Sequence, residues 1–195
     1  MTWLRRFAAV PEIPPLLETE RLILRRYTLG DTEPLAKLLA DADIAMNLFN
    51  IPVKVTLHYA GEWIQRANRN AASGLQYKWA VVRRDDELLI GEVGIHFDAY
   101  NRRGSLGYWI GRAYRGQGYV TEAVQRLIRY GFEDYKLERV YAECFSVNVE
   151  SARVMQRVGM KHEGTLRQHY YHALRDAMMD IEFYGILRSE YQKGF

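Results

Sequence analysis

Along residues 21–27 apolar and polar side chains alternate, the period-two signature of a half-buried strand. Asp31 stands where it can cap a helix, with Pro34 in the first turn, where a missing N–H costs little. Residues 41–74 keep helical spacing but are interrupted at Pro52 and Gly61. Strand patterning returns at 77–84 and 88–97 on either side of a turn at Asp85 and Asp86, and a second turn at 101–104 leads into a strand at 105–110. These segments predict an antiparallel meander. Helical spacing then puts Val124, Leu127, Ile128, Gly131 and Tyr135 on one face, and a strand follows at 139–145. A strand, a helix and a strand in succession imply a crossover and a parallel pair. Asn148 can cap the next helix, whose apolar face carries Ala152, Met155 and Val158 and which stops at Gly159. Two strands close the pattern near 161–167 and 180–187. The expectation is a single α/β domain over 19–195 with a mixed, mostly antiparallel sheet and flanking helices. Residues 1–18, with Pro11, Pro14 and Pro15, read as an irregular N-terminal arm.

Composition agrees with one such domain. At 195 residues, 48% hydrophobic and 26% charged, the chain can bury a sizeable core without staples. The net charge of +3 comes from scattered Arg and Lys and is too small to argue for direct nucleic-acid binding. No apolar run reaches the ~18 residues of a membrane span, and the stretch before Pro11 contains Arg5 and Arg6 rather than a signal-peptide core. A cytoplasmic protein without membrane contact is expected. Cys144 is the single cysteine, so no intramolecular disulfide forms, and its setting in a strand reads as packing.

The chemistry concentrates at 108–123, where a strand meets a Gly-rich turn and an amphipathic helix. Gly116 and Gly118 let the backbone turn tightly and approach a ligand, and the first helical turn offers unpaired N–H groups at the positive end of its dipole. An anionic diphosphate fits such a junction. No Gly-Lys-Ser/Thr follows the glycines, which argues against a Walker-type nucleotide site.

The pattern Arg115-x-x-Gly118-x-Val120 resembles the pyrophosphate loop of the GNAT (GCN5-related N-acetyltransferase) superfamily. Three further segments resemble its RimJ/RimL-like branch, the ribosomal-protein N-terminal acetyltransferases. They are Thr19-Glu-Arg-Leu-Ile-Leu-Arg-Arg, Asn148-x-x-Ser151 running to Val158-Gly159-Met160, and Glu163-Gly-Thr-Leu-Arg167 followed by Asp180. The resemblance spans roughly residues 19 to 190. It implies acetyl-CoA as cosubstrate, no metal, and a central parallel strand pair that splays to admit the pantetheine arm. It also implies direct attack by an amine in a ternary complex. Cofactor contacts would come from Tyr108, Trp109 and Ile110, from Arg115, Gly116, Gln117, Gly118, Tyr119, Val120 and Thr121, and from Asn148 and Ser151. Val120 departs from the family's small residue and narrows the approach. Arg115 has a surface ion pair as its alternative to phosphate binding.

Acetyl transfer needs a polarised carbonyl, a base and a partner for the departing sulfur. A backbone N–H near Ile110 can serve the carbonyl. Glu143 is the leading base, because it lies five residues before Asn148 at a position that carries the proposed base in some N-terminal acetyltransferases. Glu92 is the runner-up, as a carboxylate without a partner is unexpected on a central strand. The family's Glu before Gly-Tyr-Trp is replaced here by Ser105. Its Tyr seven residues after the Asn is replaced by Met155, which cannot donate a proton. Ser151 can then pass a proton to sulfur, with ordinary hydrogen bonding in the first helical turn as its alternative.

His169 and His172 have a ligand-like spacing, but no third ligand is near in sequence and the segment reads as a loop or strand end. His169, Tyr170 and Tyr171 fit the acceptor cleft better, with His169 a relay near neutral pH. Phe49, His58 and Trp63 are further candidates for its wall. The acceptor is expected to be a protein N-terminal α-amine, with a small-molecule amine as the alternative and a CoA-binding module without catalysis as the rival. Family members are often dimeric, so a homodimer is the expectation.

Overall fold

The computed structural model describes residues 14–49, 51–52 and 54–192. Leu17–Glu18 (β1) pairs antiparallel with Leu22–Arg25 (β2), which buries Leu22 and Leu24. The sheet therefore starts inside the segment expected to be an irregular arm, and Trp79 Nε1 donates to the Pro15 carbonyl at 2.8 Å. Residues 1–13 of that arm lie outside the described residues.

Helix α1 (Thr32–Leu39) starts after Asp31, whose side chain is turned away from the helix. It accepts from the Thr28 N–H at 2.7 Å and from both terminal nitrogens of Arg25. α2 (Ala42–Asn47) and α3 (Leu57–Ala72) follow, flanking the expected break at Pro52. Gly61 does not interrupt α3. One glycine costs a helix about 1 kcal/mol, whereas the stripe of Ala60, Trp63, Ile64, Ala67 and Ala71 is buried along one side.

The strands β3 (Gln76–Arg83), β4 (Leu89–Asp98) and β5 (Arg103–Ile110) form the meander. α4 (Tyr119–Arg129) continues into a π turn at Tyr130–Asp134, which carries the apolar face past the end of the α-helix. β6 (Arg139–Phe145), α5 (Val149–Arg157), β7 (Lys161–His172) and β8 (Ala177–Leu187) complete the fold. The last two strands are longer than their sequence pattern. At Gln168 the φ is +47° and the N–H bonds Asp180 Oδ1 at 2.7 Å, so a bulge lets β7 run on through His169–His172, where polar residues imitate a loop.

The sheet order is β1-β2-β3-β4-β5-β6-β8-β7. Among the described strands only β5 and β6 are parallel, joined by the crossover through α4. One face packs against α4 and α5 around Val93, Ile95, Val124 and Leu127, and the other against α1 and α3 around Leu35, Ile64 and Ala80. The β5–β6 pairing covers only Arg103–Leu106 against Arg139–Ala142. Beyond that the strands part.

Candidate active site

Where β5 and β6 diverge, a groove of about 660 Å³ opens between residues 107–110 and 143–145. It reaches both faces of the sheet. Leu106, Tyr108 and Ile110 belong to the core under α4 and α5, so Ser105, Gly107 and Trp109 fall on the opposite face by strand alternation. Ala142 and Cys144 are buried on the α4 side, which puts Glu143 on the other side of the same gap. A ligand can therefore enter along α4 and α5 while a second molecule approaches Glu143 from the far face.

At one end lies the turn read as a phosphate loop. Gly116 and Gly118 have φ of +73° and +83°, conformations that L side chains resist. Gly118 is the N-cap of α4 with no capping side chain, and the first helical bond runs from the Glu122 N–H to the Gly118 carbonyl at 3.0 Å. The N–H groups of Tyr119, Val120 and Thr121 are thus unused by the helix, and all three residues line the groove.

The loop is held by residues that the functional reading of the sequence did not single out. Arg21 donates from Nη1 to the Gln117 carbonyl at 2.9 Å and from Nε to Glu122 at 2.7 Å, and its guanidinium lies 4.6 Å from the centre of the Tyr119 ring. Thr19 Oγ1 donates to Glu122 at 2.5 Å. Burial raises the Glu122 pKa, but the bonds from Thr19 and Arg21 outweigh it and hold it below the usual value. The segment beginning Thr19-Glu-Arg therefore serves the loop through the two side chains that clamp Glu122.

Other loop residues divide. Gln117 turns its amide back to the Ala113 carbonyl at 3.2 Å and does not line the groove. Val120 is half-buried on the groove wall. Arg115 lines the groove, but its guanidinium pairs with Asp43 of α2, the ion-pair alternative.

Deeper in the gap, Asn148 Oδ1 accepts the Ser151 N–H at 3.1 Å as a helix cap, leaving its NH2 for a ligand. Ser151 Oγ is 2.9 Å from the Tyr108 hydroxyl, and Tyr108 also donates to the Ser151 carbonyl at 3.1 Å. Met155 is fully buried. Cys144 is buried too, which pushes its thiol up to about 11, against a bond with Ser151 that lowers it. Glu143 is open to the groove, yet the surrounding protein raises its pKa by desolvation, while nearby His169 lowers it. His169 is exposed on β7 outside the groove lining and acts on Glu143 electrostatically.

Glu92 is a correction. It is buried on the α1 and α3 side and accepts from Tyr27 Oη at 2.9 Å, Trp63 Nε1 at 2.5 Å and Lys78 Nζ at 2.8 Å. Its partners come from β3, α3 and the segment after β2, where no local pattern announces them. It does not line the groove, and Trp63 beside it is a core residue rather than a cleft wall. His58 is exposed at the start of α3, paired with Glu62, and likewise lies off the groove. Phe49 does line it, its ring tilted against Phe145 and edge-on to Tyr170. His172 is buried against Phe145, and among the described residues no group of three or more His, Cys, Asp or Glu is placed to hold a metal. The groove is also lined by Asn47 of α2 and by Gln76 and His96, of which the two strand residues could have been placed beside Ser105 by register.

These donors suit a long ligand with a diphosphate and an amide-bearing arm. The unused N–H groups and the αL glycines fit the anion, and the unpaired edges of β5 and β6 fit the amides.

Known proteins agree with this geometry. Residues 21–161 match the acetyltransferase (GNAT) domain family. The chain is 30% identical to a Bacillus licheniformis protein named as the uncharacterized N-acetyltransferase p20, over 90% of this chain and 97% of that one. It is 32% identical to the ribosomal-protein-serine acetyltransferase of Escherichia coli over 55% of this chain and 59% of that one. A GNAT-family acetyltransferase structure from Bacillus anthracis superposes with a TM-score of 0.79 at 26% identity, covering 90% of this chain and all of the other. GNAT acetyltransferases use acetyl-CoA, which is the ligand the groove suits. By fold, groove and sequence, the chain belongs to the GNAT family of N-acetyltransferases.

Proposed function

We propose that the enzyme transfers the acetyl group of acetyl-CoA to a protein N-terminal α-amine by direct attack within a ternary complex. The observation that carries this reading is the parting of β5 and β6 beside an uncapped helix N-terminus, with Glu143 on the opposite face. The diphosphate lies against the N–H groups of 118–121, and the pantetheine amides bond the free edge at Tyr108–Ile110 and the Asn148 amide. The acetyl carbonyl accepts from a backbone N–H near Ile110, which stabilises the developing oxyanion. Glu143, its pKa raised by desolvation, takes the amine proton, and the electrostatic pull of His169 tunes that charge. Ser151 hydrogen-bonds the departing sulfur.

The protein acceptor is supported by the kinship with a ribosomal-protein-serine acetyltransferase. A cytoplasmic location accords with that acceptor, and among the described residues no helix is long and apolar enough to cross a membrane. The test is incubation with acetyl-CoA and two panels, peptides differing in their first residue and small primary amines, read by mass spectrometry. Acetylation located at a peptide α-amine is expected. Acetylation of small amines alone would transfer the acceptor to the other class.

A further inference from the structure

Loss of the helical tyrosine leaves the departing sulfur without the usual donor, since Met155 is buried in the core and has no proton to give. Another tyrosine reaches the same place from a different element. Tyr108 comes from β5, on the face that carries Leu106 and Ile110, and its hydroxyl crosses the splay to α5. There it meets both polar atoms that Ser151 offers, Oγ at 2.9 Å and the carbonyl oxygen at 3.1 Å. The Asn148 cap on the Ser151 N–H fixes the backbone of that residue.

Two hydrogen placements satisfy this geometry. In one, Tyr108 donates to the Ser151 carbonyl and Ser151 donates to Tyr108. In the other, Tyr108 donates to Ser151 Oγ, and the Ser151 hydrogen can turn either to the Cys144 sulfur or into the groove. A thiolate in the groove selects the second, because a hydrogen bond to a charged acceptor is worth more than one to a neutral one. Resting on the acetyl-CoA reading of the groove, we propose that Tyr108 is a positioning residue for the departing coenzyme A sulfur: its hydroxyl donates to Ser151 Oγ and thereby aims the Ser151 hydroxyl hydrogen at the thiolate.

The step balances without consuming the tyrosine proton. The amine nitrogen bonds to the acetyl carbon, the carbon–sulfur bond breaks and its electron pair leaves on sulfur. Glu143 receives the amine proton, and the thiolate takes a proton from water as coenzyme A departs. Burial, helped by Cys144 and Tyr184 and opposed by the bond with Ser151, raises the Tyr108 pKa, so Tyr108 stays protonated at neutral pH. Cys144, the neighbouring thiol, stays neutral at neutral pH because burial raises its pKa, with Glu182 and Glu143 acting in the same direction against the bond from Ser151. Cys144 competes for the Ser151 hydrogen only as a neutral thiol, a weaker acceptor than a thiolate.

The test is the ionisation of bound coenzyme A, followed by the ultraviolet absorbance of its thiolate against pH, with bound desulfo-coenzyme A as the blank. It needs only ligand binding, so it is independent of whether any amine is acetylated. Ser151→Ala should lower the ionisation constant of the bound thiol at least about tenfold and Tyr108→Phe about three- to tenfold, the worth of a hydrogen bond to a charge and of its orientation. Ser151→Thr, which keeps a hydroxyl, should restore it. In the Ser151→Ala background Tyr108→Phe should add nothing, because Tyr108 acts through Ser151. An unchanged constant in Tyr108→Phe, or an equal shift in the Ser151→Ala background, overturns the proposal. If these shifts appear while wild type acetylates no amine, the transferase reading fails and the Tyr108 assignment stands. Absence of coenzyme A binding to wild type overturns both.

Discussion

Replacing Gly118 by alanine separates the cost of the phosphate-loop conformation from everything else in the site. The φ of +83° is one an L residue adopts at a cost of about 1–2 kcal/mol. The added Cβ would stand 3.3 Å from Arg21 Nη2, the end of a flexible side chain, so the steric part is small and the backbone part dominates. If the loop keeps its shape without ligand, the cost appears as lost stability, about 2–8 °C in thermal midpoint for a chain of this size. If the loop relaxes, the cost appears on binding, as coenzyme A affinity about 5- to 30-fold weaker. Thermal or urea unfolding and calorimetric titration together must therefore recover about 1–2 kcal/mol, however it divides. Gly61→Ala is the control: a Cβ there meets nothing within 4 Å, and alanine mid-helix should stabilise by about 1 kcal/mol without changing affinity. If Gly118→Ala leaves both stability and affinity untouched, the left-handed turn is not what holds the loop for the diphosphate.

Glu143→Gln should lower turnover about 10²- to 10⁴-fold with little change in coenzyme A binding and remove the acid limb of the rate profile. Because the folded-state pKa of Glu143 is raised, its ionised form costs stability at neutral pH, so the same variant should melt no lower than wild type. Glu92→Ala strips three donors including Lys78 and should cost about 3–5 kcal/mol by denaturant unfolding; a milder Glu92→Gln should keep the acid limb that Glu143→Gln loses. Asp31 has a lowered pKa, because the bonds from Arg25 and Thr28 outweigh its burial. Its contribution is whole above the ordinary carboxylate range and fades as the pH falls through that range and below it. Asp31→Asn should flatten the fall of the thermal midpoint over that window.

What the sequence disclosed and what it hid divide along the range of the interactions. The loop glycines, the Asn148 cap and the strand–helix–strand crossover are local, written within a few residues, and each stands where its pattern put it. Glu92 was misread because its partners lie 14, 29 and 65 residues away, and a carboxylate on a central strand announces nothing of them. The clamp of Thr19 and Arg21 on Glu122 spans about a hundred residues, so only the family resemblance of that segment hinted at its use. Gly61 and the polar run 167–169 look like breaks, yet a buried helical stripe and a bulge bonded to Asp180 carry the elements through them. Tyr108 could be read as backbone edge from the sequence, but its hydroxyl reaches Ser151 only because α5 folds over the splay.

The thermal midpoint of the purified enzyme with acetyl-CoA, coenzyme A, ATP and NAD tests the groove most directly. A ligand at about 100 times its dissociation constant adds about 2.7 kcal/mol, which for a chain of this size is a rise of about 5–11 °C. The account predicts that rise with the two coenzyme A species and not with ATP or NAD, and its loss in Gly118→Glu, which adds a negative charge and a strained φ to the phosphate loop. No rise, or an equal one with ATP, would contradict it and reduce the loop to a general anion site.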